Sequence, residues 1–502
     1  MELPTFLSSQ PWTAHKLSTF LMGQQEIAGV GFDEKGAKEL HTTISELMLT
    51  IEQEVEPQLP ERELGITEKK LWKFPAKPFN QDGSHSAFIR KWIEKTGATL
   101  VDDVTVELEG QRYTIVGNAE TKTRGAMTLS NQEALKQWLV ESEGWKPTFW
   151  NVKKDKRNKP IRDENGKQIP TTPKLQDKGV ICPNLMGLQG DLVKQVVRWL
   201  SLRNRRSVIE GWLENPRLAI DGRIGAAASG VTPTFRAKHS IICNGPKAID
   251  SVLFGKEMRG LFCVREDIEP GKVLVGWDAS GLEDRIEAHF TSQFDGGAYA
   301  TKILDPSYDA HQENADAWGI TRQQAKSGTY ALAYNCMPPT LAKTLNCTLT
   351  EAKRRHEAYW EINWPLRQLE EHLVKHWETW GEKKYIKGID GRKLHVRNKN
   401  AIVNTLIQST GAIIFDYALI WLDKKLGPMY DVGVRPHYLL DGYEVERIIY
   451  YHDEAEFRCD KEVAEKVLQL GTDSVKWAGE FFKLKVPLLS EGNIGMSWRD
   501  LK

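Results

Sequence analysis

Cysteine is scarce and falls into no pattern: six in 502 residues (Cys182, Cys243, Cys263, Cys336, Cys347, Cys459), with no C-x-x-C pair. That scatter argues against a zinc ribbon or a disulfide framework and suits a reducing cytosol. Net charge is lacking too, with 68 Lys+Arg against 68 Asp+Glu. A supercharged tail is thereby excluded, but nucleic-acid binding is not, because that depends on how charge is arranged locally. The opening residues, MELPTFLSSQPW, lack the basic start and apolar core of a secretory leader. The longest apolar stretch, 406–422, carries Gln408, Ser409, Thr410 and Asp416 and reads as too polar for a bilayer span. There is no internal repeat and no low-complexity tract. What is present, 40% hydrophobic and 27% charged residues, is the composition of an ordinary globular protein. The length suggests about three domains or one large multi-lobed unit, expected to be soluble and intracellular.

Apolar residues Leu40, Ile44, Leu47, Met48, Ile51 and Val55 recur at helical spacing over 33–57, with Asp33 as N-cap. From 58 to 128, Pro60, Pro75, Pro78 and the Asp82-Gly83 pair punctuate short strand-like pieces such as RYTIVG. The segment reads as an insertion, because helical patterning resumes at 131–142. The polar run 151–178 reads as a surface loop, and 191–213 as a helix with a cationic flank from Lys194, Arg198, Arg203, Arg205 and Arg206. An apolar strand, KVLVGW, runs into Asp278 and then a helix. Helical regions follow at 309–335, 350–380 and 400–425. Hairpins are expected about Asp390-Gly391 and about the tripeptide His452-Asp453-Glu454.

Two aspartates stand at the ends of apolar strands, Asp278 and Asp453. Each could merely terminate its strand. On adjacent strands, however, the pair could hold divalent cations for an in-line phosphoryl displacement, for which magnesium suits carboxylates plus phosphates. Between them Arg322, Lys326, Tyr330 and Tyr334 recur every four residues and line one face of a helix. Two cations followed by two phenols make a rod suited to polyphosphate at one end and a sugar and base at the other.

WDASGLEDRIEAHF (277–290), RQQAKSGTYALAY (322–334) and HDE (452–454) resemble motifs A, B and C of A-family DNA polymerases. DASGLE and GIDGRKLHVRNKNAIVNTLIQSTGAI (388–413) are most similar to the replicative branch found in podovirus-type bacteriophages, which recruits thioredoxin. With GRIGAAASGVTPTFRAKH (222–239), the resemblance spans 190–502, and more faintly 10–57 and 129–150. It implies an α+β right-hand fold with an antiparallel palm sheet and helical fingers and thumb. It also implies primer extension with deoxynucleoside triphosphates on a DNA template, two Mg²⁺ ions, and a viral protein working in the host cytoplasm.

Residue by residue, the resemblance makes Asp278, Asp453 and the Ala279 carbonyl metal ligands, with Glu454 a less secure neighbour. Glu283 would exclude a 2′-hydroxyl. His311, Arg322 and Lys326 would bind triphosphate, with Lys326 also catalytic, while Tyr330 packs on the sugar and Tyr334 stacks near the templating base. Arg236, Gln408 and His452 would read minor-groove acceptors at the primer end, and Asn404 and Arg205 would contact backbone. Two departures are Ala331 and Asn335, where the family pattern has glycines. A third is the proofreading exonuclease, for which no Asp-x-Glu precedes the 33–57 helix.

The implied division is an N-terminal segment 1–57 leading into the thumb, an insertion 58–128, and thumb with the start of the palm over 129–260. Palm 261–304, fingers 305–384 and palm 385–502 complete it. For the insertion three readings stay open: a processivity-factor site, a DNA-embracing flap using Lys69, Lys70, Lys73 and Lys77, or a decoration with neither role. Editing would fall to a separate exonuclease subunit. A single-subunit RNA polymerase is the enzymatic alternative, and a non-catalytic primer-end-binding subunit the non-enzymatic one.

Overall fold

The computed structural model describes residues 11–64, 73–120, 124–164, 166–177, 179–333, 335–379, 385–430 and 435–501. Two compact units divide the chain, Met1–Ile44 with Asn204–Lys502, and Ser45–Arg203. This cut differs from the sequence division at 57 and 128. It falls inside two long helices, Glu34–Val55 and Asp191–Leu213, so that neither helix is a boundary in itself. The first starts where expected, with Asp33 Oδ1 accepting from the Gly36 amide at 2.9 Å.

Within the 45–203 unit, part of the expected insertion builds its own small core from Phe74, Ile89, Trp92, Ala98, Val106, Leu108 and Ile115. A helix, Ala87–Thr96, and a three-stranded antiparallel sheet of Thr99–Asp102, Thr105–Leu108 and Gln111–Thr114 surround it. Lys69 and Lys70 lie outside the described residues. The 151–178 run is on the surface but is not a plain loop. Trp150–Val152 pairs with Pro170–Pro173, and Gln176–Asp177 with Val180–Ile181. Side chains make those reversals possible: Asp155 Oδ1 accepts from the amides of Arg157 and Lys159, and Asp163 Oδ1 from that of Lys167. Such Asx turns are invisible to hydrophobic periodicity.

The other unit is built on a six-stranded sheet. Its elements are α1 (Pro11–Ala28), β1 (Lys272–Ser280), α2 (Leu282–Asp295), α3 (Ala310–Trp318), α4 (Arg322–Ala333), α5 (Leu349–Ile362), α6 (Trp364–Thr379), α7 (Ile402–Leu426), β2 (Met429–Tyr430), β3 (His437–Leu440), β4 (Tyr443–Tyr451), β5 (Glu454–Asp460), α8 (Ala464–Phe481) and β6 (Leu489–Gly495), besides shorter pieces. The strand order is β2-β3-β4-β5-β1-β6, and β1 pairs antiparallel with both β5 and β6. A strand flanked on both sides can be apolar throughout, which is why KVLVGW reads as a continuous run. Its register is locked by Trp277, buried and stacked on Phe457 at 5.2 Å between ring centroids. Helix α8 lies so close that a Cβ on Gly471 would meet the Trp277 ring at 2.6 Å, so glycine is required there.

Helix α7 is apolar on all sides and nearly all of its residues are buried. By length and composition, 399–426 could cross a bilayer, contrary to the sequence expectation, but 89% of its apolar window is packed inside the protein. An apolar-all-round helix of this kind is the mark of a core element.

Candidate active site

Strand β1 and the β4–β5 hairpin set the two aspartates side by side. Tyr451 pairs with Glu454, which leaves a two-residue turn of His452 and Asp453. His452 adopts φ 62°, a left-handed conformation uncommon for a residue with a side chain and typical of functional sites. The Ala279 amide donates to the Asp453 carbonyl at 3.0 Å and pins this turn to the end of β1. Asp278 is the direct cross-strand partner of Glu454, and Ser490 Oγ donates to the Asp278 carbonyl at 2.7 Å. Burial raises the Asp453 carboxyl above the usual range, with the charges of Glu454 and Asp278 acting in the same direction.

Those two carboxylates fit divalent cations. Among the described residues no group of three or more His, Cys, Asp or Glu side chains has the geometry to hold a metal unaided. Magnesium needs no such cage, since it keeps waters and takes one or two carboxylates plus substrate phosphate.

Glu454 itself is turned to another use. It is buried, accepts from Trp498 Nε1 at 2.8 Å, and lies 3.4 Å from Arg259 Nη1. These bonds tie the C-terminal turn to the sheet.

The cationic rod forms on α4 as spaced. Lys326 and Tyr330 follow Arg322 by one and two turns, and the His311 ring lies 5.4 Å from that of Tyr330. Burial lowers the His311 pKa, and the nearby charges of Lys326 and Arg322 lower it further. Tyr334 lies outside the described residues. Asn335 takes φ 55°, a conformation that favours glycine but that asparagine tolerates, and its amide donates to Glu370.

Glu283, His311, Tyr330 and Asn404 line one cavity of about 60 Å³. Asn404 and Gln408 lie one turn apart on α7. Arg236 reaches Glu283, Nη2 to Oε1 at 2.6 Å, so two residues read separately from the sequence are bonded to each other. The Arg392 guanidinium lies over the ring of Phe235, next to Arg236, at 4.8 Å. Arg205 is not drawn into this group by any bond described: its Nε donates to the Leu253 carbonyl at 3.2 Å.

The family model described as DNA polymerase family A matches residues 246–500, just over half of the chain and the whole of the aspartate and α4 geometry. The chain belongs to DNA polymerase family A. As a family A polymerase it is an enzyme of the nucleotidyltransferase class. It is 26% identical over 521 residues to the DNA-directed DNA polymerase of Enterobacteria phage T3, covering 96% of this chain and 69% of that one. Against the corresponding polymerase of Escherichia phage T7 the identity is 31% over 263 residues, covering 49% of this chain and 36% of the relative. The polymerase domain of Pol1 from M. smegmatis, solved with DNA primer-template and dNTP, has the same fold at a TM-score of 0.62 and 18% identity, covering 96% and 69% of the two chains. The family A fold is the right hand expected, and the six-stranded antiparallel sheet is its palm.

Four neighbours of the site escaped the sequence reading. Asp309 caps α3, accepting from the His311 amide at 2.8 Å, and its other oxygen takes Arg322 Nε at 2.6 Å. An Asp two residues before a histidine at a helix start is the signal that could have found it. Asp284 and Glu287 line the Glu283 cavity, where burial pushes the Glu287 carboxyl up to about 8, with the charges of Asp284 and Glu283 acting in the same direction. His239 packs on the hairpin turn, 5.3 Å from His452.

Burial holds both of those histidines at a pKa of about 4, with His452 adding to the shift of His239 and Arg236 to that of His452. An unfolded histidine titrates near 6.5. At these two positions the unfolded chain takes up protons that the folded one does not as pH falls from about 6.5 towards 4, so their contribution to stability is lost through that window. Thermal melts should show the Tm of His239→Phe, relative to wild type, higher at pH 5 than at pH 7.

Proposed function

We propose that the chain is a template-directed DNA polymerase in which a primer 3′-hydroxyl attacks the α-phosphate of a deoxynucleoside triphosphate. The single observation that carries this reading is the convergence of Asp278 on β1 with Asp453 in the β4–β5 turn, next to Arg236, whose partner Glu283 lines a cavity with Tyr330. Asp278, Asp453 and the Ala279 carbonyl would hold two Mg²⁺ ions. Bound there, the metal would stabilise charge on the attacking and leaving oxygens. Everything else falls to the chain's own groups. Arg322 would offer a planar fork and Lys326 a mobile cation to the triphosphate, and Lys326 would give a proton to the departing pyrophosphate. Tyr330 and Glu283 share one cavity wall, which supports a nucleotide sugar packed between them. Such catalysis is mainly positioning and charge neutralisation.

The phage relatives support a role in viral replication in the host cytoplasm, and the M. smegmatis neighbour, solved with primer-template and dNTP, supports the ligands. The thumb would include the 191–213 helix and the fingers the α3–α6 region. Primer extension with and without Mg²⁺ tests the reading, and no extension with Mg²⁺ present would sink it in favour of a primer-end-binding subunit. The part of 58–128 around the Phe74–Ile115 core is a self-contained module suited to a processivity factor, which added protein should reveal as longer products per binding event.

Tyr330 also sets a prediction on sugar selection. Its phenol can supply a hydrogen bond that a missing 3′-hydroxyl would otherwise make, so dideoxynucleotides should be used almost as well as deoxynucleotides. Tyr330→Phe should restore discrimination. An unchanged incorporation ratio would remove the ring from the sugar.

A further inference from the structure

We infer that His239 is a positioning residue for His452, holding that ring so that its outward nitrogen donates to the minor-groove acceptor of the primer-terminal base. The inference rests on the reading of His452 as a primer-end residue. His239 sits in the strand Ala237–His239, which pairs with Ala228–Val231, on the same hairpin that carries Arg236. Its ring meets His452 edge to face, at 5.3 Å and 71°, and meets Tyr451 at 5.2 Å and Tyr450 at 5.9 Å. The backbone of His452, at φ 62° in a two-residue turn, gives its ring no ladder to lean on. The rings around it must do that.

Hydrogen bonding makes the arrangement specific. Among the described residues, buried His239 Nδ1 and Nε2 and His452 Nδ1 have no hydrogen-bond partner, whereas His452 Nε2 is not one of these buried, unbonded atoms. A neutral imidazole has one donor and one acceptor. Purine N3 and pyrimidine O2 in the minor groove accept only, so the outward His452 Nε2 must carry the proton. Its Nδ1 is then a buried acceptor turned inward, and leaving such an atom unbonded is costly. His239 is the neighbouring ring with an N–H to give, directly after a small rotation or through one water. Supplying it fixes the tautomer and the angle of His452 together.

Primers ending in guanine or in 3-deazaguanine, which lacks the N3 acceptor, test this. The wild-type protein should extend the deaza primer about tenfold more slowly, the scale of one lost hydrogen bond. His452→Ala should be indifferent to the change. His239→Phe keeps an aromatic ring but no nitrogen. It should extend the natural primer about as slowly as wild type extends the deaza one, with the ratio between primers close to one. His239→Gln, which keeps a donor, should recover part of the sensitivity. Full sensitivity in His239→Phe overturns the inference while sparing the reading of His452. Indifference of the wild-type protein overturns that reading and the inference with it. Should the variants fail to fold, nitrogen-15 spectra of wild type decide: an Nε2–H tautomer at His452 is expected, and Nδ1–H overturns the proposal.

Discussion

Replacing either Asp278 or Asp453 with Asn should cut primer extension to less than about a hundredth of wild type, roughly 2.7 kcal/mol of barrier. DNA affinity should stay within a few-fold. The physical reason lies in charge and not in shape. Asparagine keeps the volume at the end of β1 or in the hairpin turn, so Ala279 can still donate to the residue 453 carbonyl at about its present 3.0 Å. What goes is the negative charge that would draw a divalent cation to the reacting phosphate. Steady-state extension at saturating Mg²⁺, with binding measured separately by anisotropy, separates the two effects. Retention of a tenth of the wild-type turnover by either variant would show that the metal ligands lie elsewhere.

The second large effect concerns Glu283. Glu283→Ala should admit ribonucleotides on the order of a hundredfold more readily, because in the proposed site the carboxylate would fill the space a 2′-hydroxyl needs in a cavity of about 60 Å³. The 2.6 Å ion pair with Arg236 adds a second expectation. Glu283→Gln retains the bulk and loses the charge, so ribose exclusion should survive while Arg236 is released from its partner. Single-nucleotide incorporation with matched ribo- and deoxynucleotides reads both variants. If Gln is as permissive as Ala, exclusion comes from the orientation that Arg236 imposes and not from filled space. If neither variant is permissive, Glu283 does not face the sugar.

Much of this site is legible in the residues because its parts are local. An apolar strand running into Asp278, a four-residue spacing from Arg322 to Tyr330 and a hairpin around His452-Asp453 each follow from periodicity, and the structure forms all three, with the strand continuing past Asp278 to Ser280. The bonds between parts are of another kind. Arg236 with Glu283, Asp309 with Arg322, and His239 with His452 join residues 47, 13 and 213 positions apart. Each is set by which face an element presents after packing, and no local pattern encodes that. The Asx turns of 155–167 escaped for a related reason, since a side chain bonding its own backbone leaves no hydrophobic signature. Helix α7 was underestimated in the opposite direction: Asp416 looks disqualifying in a bilayer helix, yet inside the protein it accepts from Ser18 Oγ at 2.6 Å.

The contact between Asp309 and Arg322 bears on recognition. Asp309 already holds the Arg322 guanidinium, so a polyphosphate bound on this helix face, as proposed, would enter by exchanging one anion for another. Asp309→Asn would remove that competitor, and triphosphate and diphosphate should then both bind more tightly.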